Sequence, residues 1–167
     1  LIDGLGQESE FVKQLAFWNA SLEGGYSNPI DDALRQLKFD TTISVEKIGE
    51  VPYDFIRKRL SIAVETETEK ILICNGAFPQ ILHICYQIKV RDNQIEDISA
   101  YKEQLELKFT QYGIDGLRAI AICYKNINTT TISKEIETDM IFAGFLLMND
   151  PVKSGIIETI NELHKLN

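Results

Sequence analysis

Val51-Pro52-Tyr53-Asp54-Phe55-Ile56-Arg57-Lys58-Arg59-Leu60-Ser61-Ile62-Ala63-Val64 places an aromatic segment and three consecutive cations directly before an alternating apolar run. Leu60, Ile62 and Val64 alternate with Ser61 and Ala63, the period-two pattern of a strand. Glu65 to Glu69 is a polar turn, and Ile71-Leu72-Ile73-Cys74 is a second apolar run that closes on Asn75-Gly76-Ala77. Two such runs joined by a short polar segment read as a β-hairpin. What surrounds this hairpin decides the fold class.

Upstream, Phe11, Leu15, Trp18 and Leu22 fall at helical spacing and Gly24-Gly25 supplies the stop. Asn28-Pro29 restarts a helix, with Asn28 as N-cap and Pro29 at the first helical position. Ile30, Ala33, Leu34 and Leu37 form its apolar face, and Asp31 and Asp32 sit in its first turn. Thr41 to Val45 is largely β-branched and reads as strand. Downstream, Pro79 opens a short helix carrying Ile81, Leu82, Cys85 and Ile88. Ile98, Tyr101, Leu105, Phe109 and Tyr112 mark another, ended by Gly113. Leu117 to Tyr124 is apolar on both faces except at Arg118, the pattern of a central strand. Met140 to Met148 is a further strand, and Asp150-Pro151 leads into an amphipathic helix with Ile156, Ile157, Ile160 and Leu163. Segregated strands with covering helices imply an α+β domain with a largely antiparallel twisted sheet. The expected division is one unit over residues 1–139 and, over 140–167, a hinge and the start of a separate α/β unit.

The chain has 167 residues, a net charge of −8, 44% apolar and 25% charged residues, which suits one soluble globular domain. The acidic balance argues against a nucleic-acid partner. Cys74, Cys85 and Cys123 sit singly inside apolar runs and read as reduced core residues of a cytosolic protein. No apolar run approaches the ~18 residues that a membrane span needs, and Leu1-Ile2-Asp3-Gly4 is not a leader. The chain begins without Met, and the expectation is a piece of a longer protein.

A ring, a knot of cations and a bare backbone turn are the parts that hold a planar base beside a polyphosphate. Phe55 is either a core ring or a surface ring on which a base stacks, a contact worth roughly 1–3 kcal/mol where it has been measured. Arg57, Lys58 and Arg59 are either a solvated edge or phosphate ligands; strand alternation would point Arg57 and Arg59 to the same face as Phe55. Asn75-Gly76-Ala77 is a plain turn or a place where a ligand meets the backbone. Arg118 needs an anion, from a structural carboxylate or from a ligand. Asp31 and Asp32 serve the helix dipole, or a ligand. His83 and His164 lack ligand-spaced companions, no nucleophile motif occurs, and neither GxxxxGK[ST] nor GxGxxG is present. No catalytic and no metal-binding residue is therefore nominated.

Taken in order, these segments resemble the nucleotide-binding domain of the P-type cation-transporting ATPases. Asn28-Pro29-Ile30-Asp31-Asp32-Ala33-Leu34 resembles the family's acidic helix start, and Pro52 to Ser61 its aromatic and basic segment. Asn75-Gly76-Ala77 stands where the family writes Lys-Gly-Ala, and Asp115-Gly116-Leu117-Arg118-Ala119-Ile120-Ala121 resembles its Gly-Leu-Arg strand. Phe145 to Lys153 resembles the Asp-Pro hinge that returns to the phosphorylation domain. The Tyr-Asp-Phe-x-Arg-x-Arg-x-Ser form is most similar to the magnesium transporters of the class.

The resemblance implies ATP as ligand, accompanied by Mg2+. It implies that Phe55 stacks on adenine, Asp31 accepts from the adenine amino group, Arg57 and Arg118 meet the phosphates, and Gly76 and Ala77 admit the base. Asn75 replaces the family lysine, so nucleotide affinity falls unless Lys58 or Arg59 compensates. The Asp-Lys-Thr-Gly-Thr, Thr-Gly-Asp and Gly-Asp-Gly segments are absent, so this chain is expected to bind ATP without forming a phosphoenzyme. The implied whole is a membrane pump driven by ATP hydrolysis, with this part on its cytoplasmic side, monomeric as a fragment, and partnered by the pump's phosphorylation and transmembrane domains. Magnesium is the expected cargo. A pump for another cation such as calcium, or a non-catalytic interaction domain, are the alternatives.

Overall fold

Strands whose two faces are both covered must be apolar at nearly every position, and the central strands of this sheet are. The computed structural model describes residues 1–25, 29–37, 44–91 and 94–149. Its elements are β1 (Ile2–Asp3), α1 (Glu10–Leu22), α2 (Pro29–Arg35), β2 (Glu46–Asp54), β3 (Arg59–Glu65), β4 (Lys70–Ala77), α3 (Phe78–Ile84), β5 (Cys85–Lys89), β6 (Ile95–Asp97), α4 (Lys102–Ile114), β7 (Leu117–Asn126) and β8 (Met140–Asn149). The described strands form one sheet in the order β2-β3-β4-β7-β8-β5-β6, with β1 added alongside β8. Every pairing is antiparallel except that of β5 with β8. The architecture is α+β with a mixed, mostly antiparallel open sheet.

The β3–β4 hairpin sets the register. Leu60 faces Asn75, Ile62 faces Ile73 and Val64 faces Ile71 across the pair. Thr66 closes the turn: its N–H donates to the Glu69 carbonyl at 2.9 Å, and its hydroxyl accepts from the Glu69 N–H at 3.1 Å. On one face, Leu60, Ile62, Val64, Ile73 and Ile122 pack under Val12, Leu15, Ala16 and Trp18 of α1 and Leu34 of α2. On the other, Ala63, Leu72, Cys74, Cys123, Phe142 and Phe145 pack under Phe78 and Ile81 of α3 and Leu105 of α4. Small side chains alternate with branched ones along β3 because each face meets a different helical layer. Ser9 caps α1, accepting from the Val12 N–H at 3.3 Å.

Several expectations are corrected. The helix opened by Pro79 stops at Ile84, and Cys85 and Ile88 lie in β5. Parallel pairing of Cys85 with Met140 and Ile88 with Phe142 outweighs local helix propensity there. Strand character near Val45 begins at Glu46 instead; the hydrophilic β2 is an edge strand and tolerates Pro52 for that reason. Ala33 is exposed rather than part of the apolar face of α2. β8, which begins at Met140, pairs with β7, β5 and β1. Thr41 to Ile43, the Asn28 cap, and the Asp150-Pro151 hinge with its helix lie outside the described residues.

Gly113 does not end α4, which runs on to Ile114; the chain reverses at Gly116, whose φ is +75°. A Cβ there would meet nothing within 4 Å, so a side chain is disfavoured by backbone conformation alone. Gly116→Ala is expected to cost about 1–2 kcal/mol of stability, read as a lowered urea midpoint with unchanged slope.

Candidate functional site

At one end of the sheet, where β3 and β7 begin and β4 and β8 finish, a cavity of about 610 Å³ opens between α1–α2 and the strands. That volume lies within the range of ligand pockets, about 300–1,000 Å³. Its walls are largely apolar: Ile30 and Leu34 from α2, Leu60 from β3, Ile120 from β7, and Leu146 and Met148 from β8. Phe109, Thr110 and Gly113 of α4 complete the rim, with Phe109 stacked on Phe78 at 4.7 Å. The polar groups divide by side. Glu23 and Asp31 enter from the helices, whereas Lys58 and Arg118 enter from the strand ends.

The structure brings together Asp31, Asn75, Gly76, Ala77 and Arg118 in this lining. Asp31 is only 5% exposed, so it is more than a solvated helix-start carboxylate. Phe55 and Arg57 are placed elsewhere. Residues 55–58 form a turn rather than a strand, which removes the alternation that would have aligned Phe55 with Arg57 and Arg59. Phe55 stands 86% exposed at the tip of that turn, edge-on to Tyr53 at 5.4 Å, and Tyr53 lines the cavity. Arg57 reaches the opposite face of the sheet, where its Nη1 donates to both oxygens of Glu137 at 2.6 Å.

Local chemistry explains the turn. The Asp54 carboxylate accepts from the Ile56 and Arg57 N–H groups at 2.7 and 2.9 Å. Backbone N–H donation from Arg57, then from Ile56, holds the Asp54 carboxyl below its ordinary range. Lys58 takes a left-handed φ of +50°, its N–H bound to the Asp54 carbonyl at 2.7 Å and its carbonyl bound by the Ala77 N–H at 3.0 Å. Gly76 is required by this same contact. A Cβ on it would collide with the Lys58 carbonyl and lie 2.6 Å from Arg59 Cβ. Its lack of a side chain serves strand-to-turn packing.

Residues 28–155 match the sequence profile of the family described as P-type ATPase, cytoplasmic domain N. The chain belongs to this family. Magnesium-transporting ATPase, P-type 1 of Salmonella typhimurium is 29% identical over 175 residues, covering 97% of this chain and 19% of that protein. Its namesake in Escherichia coli is 28% identical over 166 residues, with 95% and 18% covered. Calcium-transporting ATPase 1 of Lactococcus lactis is 26% identical over 121 residues, with 71% and 14% covered. The N domain thus spans less than a fifth of the length of these relatives.

Two features of the N domain cavity escaped sequence reasoning. Tyr53 lines it although the sequence marked it only as a neighbour of Phe55, and Lys58, one of three cations read together as an edge or as phosphate ligands, lines it from the turn at residues 55–58. Glu23, just past α1, carried no signal. Burial first, then the charges of Asp31 and Glu50, push its carboxyl above the ordinary range, against the pull of Arg35 and Lys47. A raised folded-state value means that the folded form takes up its proton first as pH falls. Stability conferred by the neutral form is therefore lost as pH rises through that window. Glu23→Gln is expected to raise the urea midpoint at neutral pH and to leave it unchanged below about pH 4, where wild-type Glu23 is protonated in both states.

Proposed function

We propose that this N domain binds ATP in the cavity at the strand ends, with the base toward Asp31 and the phosphates toward Lys58 and Arg118. The observation that carries the reading is the division of charge in a mostly apolar pocket. Apolar walls accept a planar base, a buried carboxylate on one side accepts from its exocyclic amino group, and cations on the other meet the phosphates. Tyr53 lines the cavity that receives the base, and the Phe55 ring stands 5.4 Å from the Tyr53 ring. Arg57, committed to Glu137, contributes by holding the turn. Mg2+ travels with the nucleotide as part of the substrate.

In the full-length protein, this domain delivers the terminal phosphoryl of ATP to a phosphorylation aspartate outside the chain, where positioning and charge neutralisation carry the in-line transfer. The cargo we propose is magnesium, because relatives named for magnesium transport align over nearly all of the chain and the calcium transporter over less. Calcium is the second reading. Transport of each ion into vesicles holding the full-length pump decides between them.

Calorimetric titration of the 167-residue chain with MgATP and with adenosine tests the site. Lys58→Met and Arg118→Met are expected to weaken ATP about tenfold each, the worth of a charge-assisted hydrogen bond, and to spare adenosine. Asp31→Asn is expected to weaken both. No heat at millimolar MgATP would sink the reading in favour of an interaction module.

Asn75 gives a second test. Its Nδ2 donates to Asn19 Oδ1 at 3.0 Å, leaving Asn19 Nδ2 and Asn75 Oδ1 buried without partners. Asn75→Lys is expected to tighten ATP binding by adding a cation to the rim. It is also expected to lower folding stability by about 1–3 kcal/mol, since the buried Asn19 amide loses its remaining partner.

A further inference from the structure

Glu137 lies 80 residues from Arg57 along the chain, and its side chain is wholly buried. Besides the two Arg57 contacts, it accepts from Arg59 Nε at 2.8 Å and from Ser61 Oγ at 2.8 Å. Residues 57 and 59 flank Lys58, so one carboxylate anchors both neighbours of a cavity lysine. Along β3, Arg59 and Ser61 point to the face that holds Glu137, and Leu60 points to the cavity face. Both flanks are fixed on one face, and Lys58 between them is among the residues that line the cavity. A non-glycine residue at φ +50° persists only where its surroundings over-determine it.

We propose that Glu137 is a positioning residue of the nucleotide site: through Arg57 and Arg59 it fixes the direction in which Lys58 meets the phosphates. The inference rests on the ATP reading above and adds a residue to it. Glu137 is absent from the cavity lining, so it acts on the ligand through Lys58. Its influence therefore falls on the phosphates and not on the base.

The test measures ATP and adenosine affinities by calorimetry for wild type, Glu137→Gln, Lys58→Met and the double variant of the 167-residue chain. Glu137→Gln is expected to weaken ATP about tenfold and to leave adenosine within about twofold, with no further loss of ATP affinity when Lys58 is already methionine. Equal losses for ATP and adenosine, an unchanged ATP affinity, or losses that add in the double variant overturn the proposal and leave Glu137 a support of the fold alone. A wild-type chain that binds no ATP is a different result, and it removes the nucleotide reading together with this inference. If thermal melting shows that Glu137→Gln does not fold, Arg57→Lys takes its place, since it keeps the charge and removes the two-pronged contact. The same split between ATP and adenosine is then expected, and its absence overturns the proposal.

Discussion

A carboxylate with none of its side chain in contact with solvent is tolerable only where its charge and its lone pairs are both answered. Glu137 has two guanidinium groups and a hydroxyl directed at its two oxygens, and that constellation ties three parts of the fold to one point. It joins the end of the β7–β8 connection to the turn between β2 and β3 and to the first residues of β3. Removing one partner from such a buried set costs about 3–5 kcal/mol, because the remaining charge is left unanswered. The ion cluster is therefore weak as a source of net stability and strong as a constraint on shape. The shape it constrains is the turn at residues 55–58, which borders the cavity.

The cavity is a consequence of how the sheet ends. Over most of their length β3, β4 and β7 are sealed by α1 on one face and by α3 and α4 on the other. At the strand ends that cover runs out, because α1 terminates at Leu22 and the short α2 reaches only part of the remaining surface. Apolar residues that would otherwise be core, such as Leu60, Ile120 and Leu146, then become the walls of a pocket. Close approach of the turn to β4, possible only because residue 76 is glycine, shapes the neighbouring wall.

The hairpin, the central strand around Arg118 and the helices α1 and α4 were legible in the residues because each follows its own period. What was not legible depended on contacts between distant segments. Cys85 and Ile88 read equally well as the end of a helix, and pairing with β8 decides for strand. Placing Phe55 and Arg57 on one face assumed that strand geometry continued through residues 55–58; Asp54, whose carboxylate folds the chain into a turn by binding two N–H groups, was the overlooked signal. Asp31, Asn75, Gly76, Ala77 and Arg118, singled out from three separate segments, line one cavity. Glu137 offered nothing local to distinguish it from the acids around it, since its role exists only once residues far apart in the chain are brought together.

Charge explains why the direction of a single lysine matters here. The chain carries a net charge of −8, so its long-range field repels a polyphosphate, and only cations close to the phosphates offset this. Screening over about 8 Å at physiological salt confines their effect to the pocket itself. Of the three consecutive cations, Arg57 and Arg59 are balanced by the carboxylates of Glu137 and Asp54, on the face away from the cavity. Lys58 takes no part in that network and lines the cavity instead. A flexible lysine gains little from a transient contact, because ordering its stem costs rotamer entropy. Fixing the backbone on both sides of it lowers that cost before a ligand arrives, which is how, on the proposed reading, two arginines held by Glu137 contribute to the phosphate site.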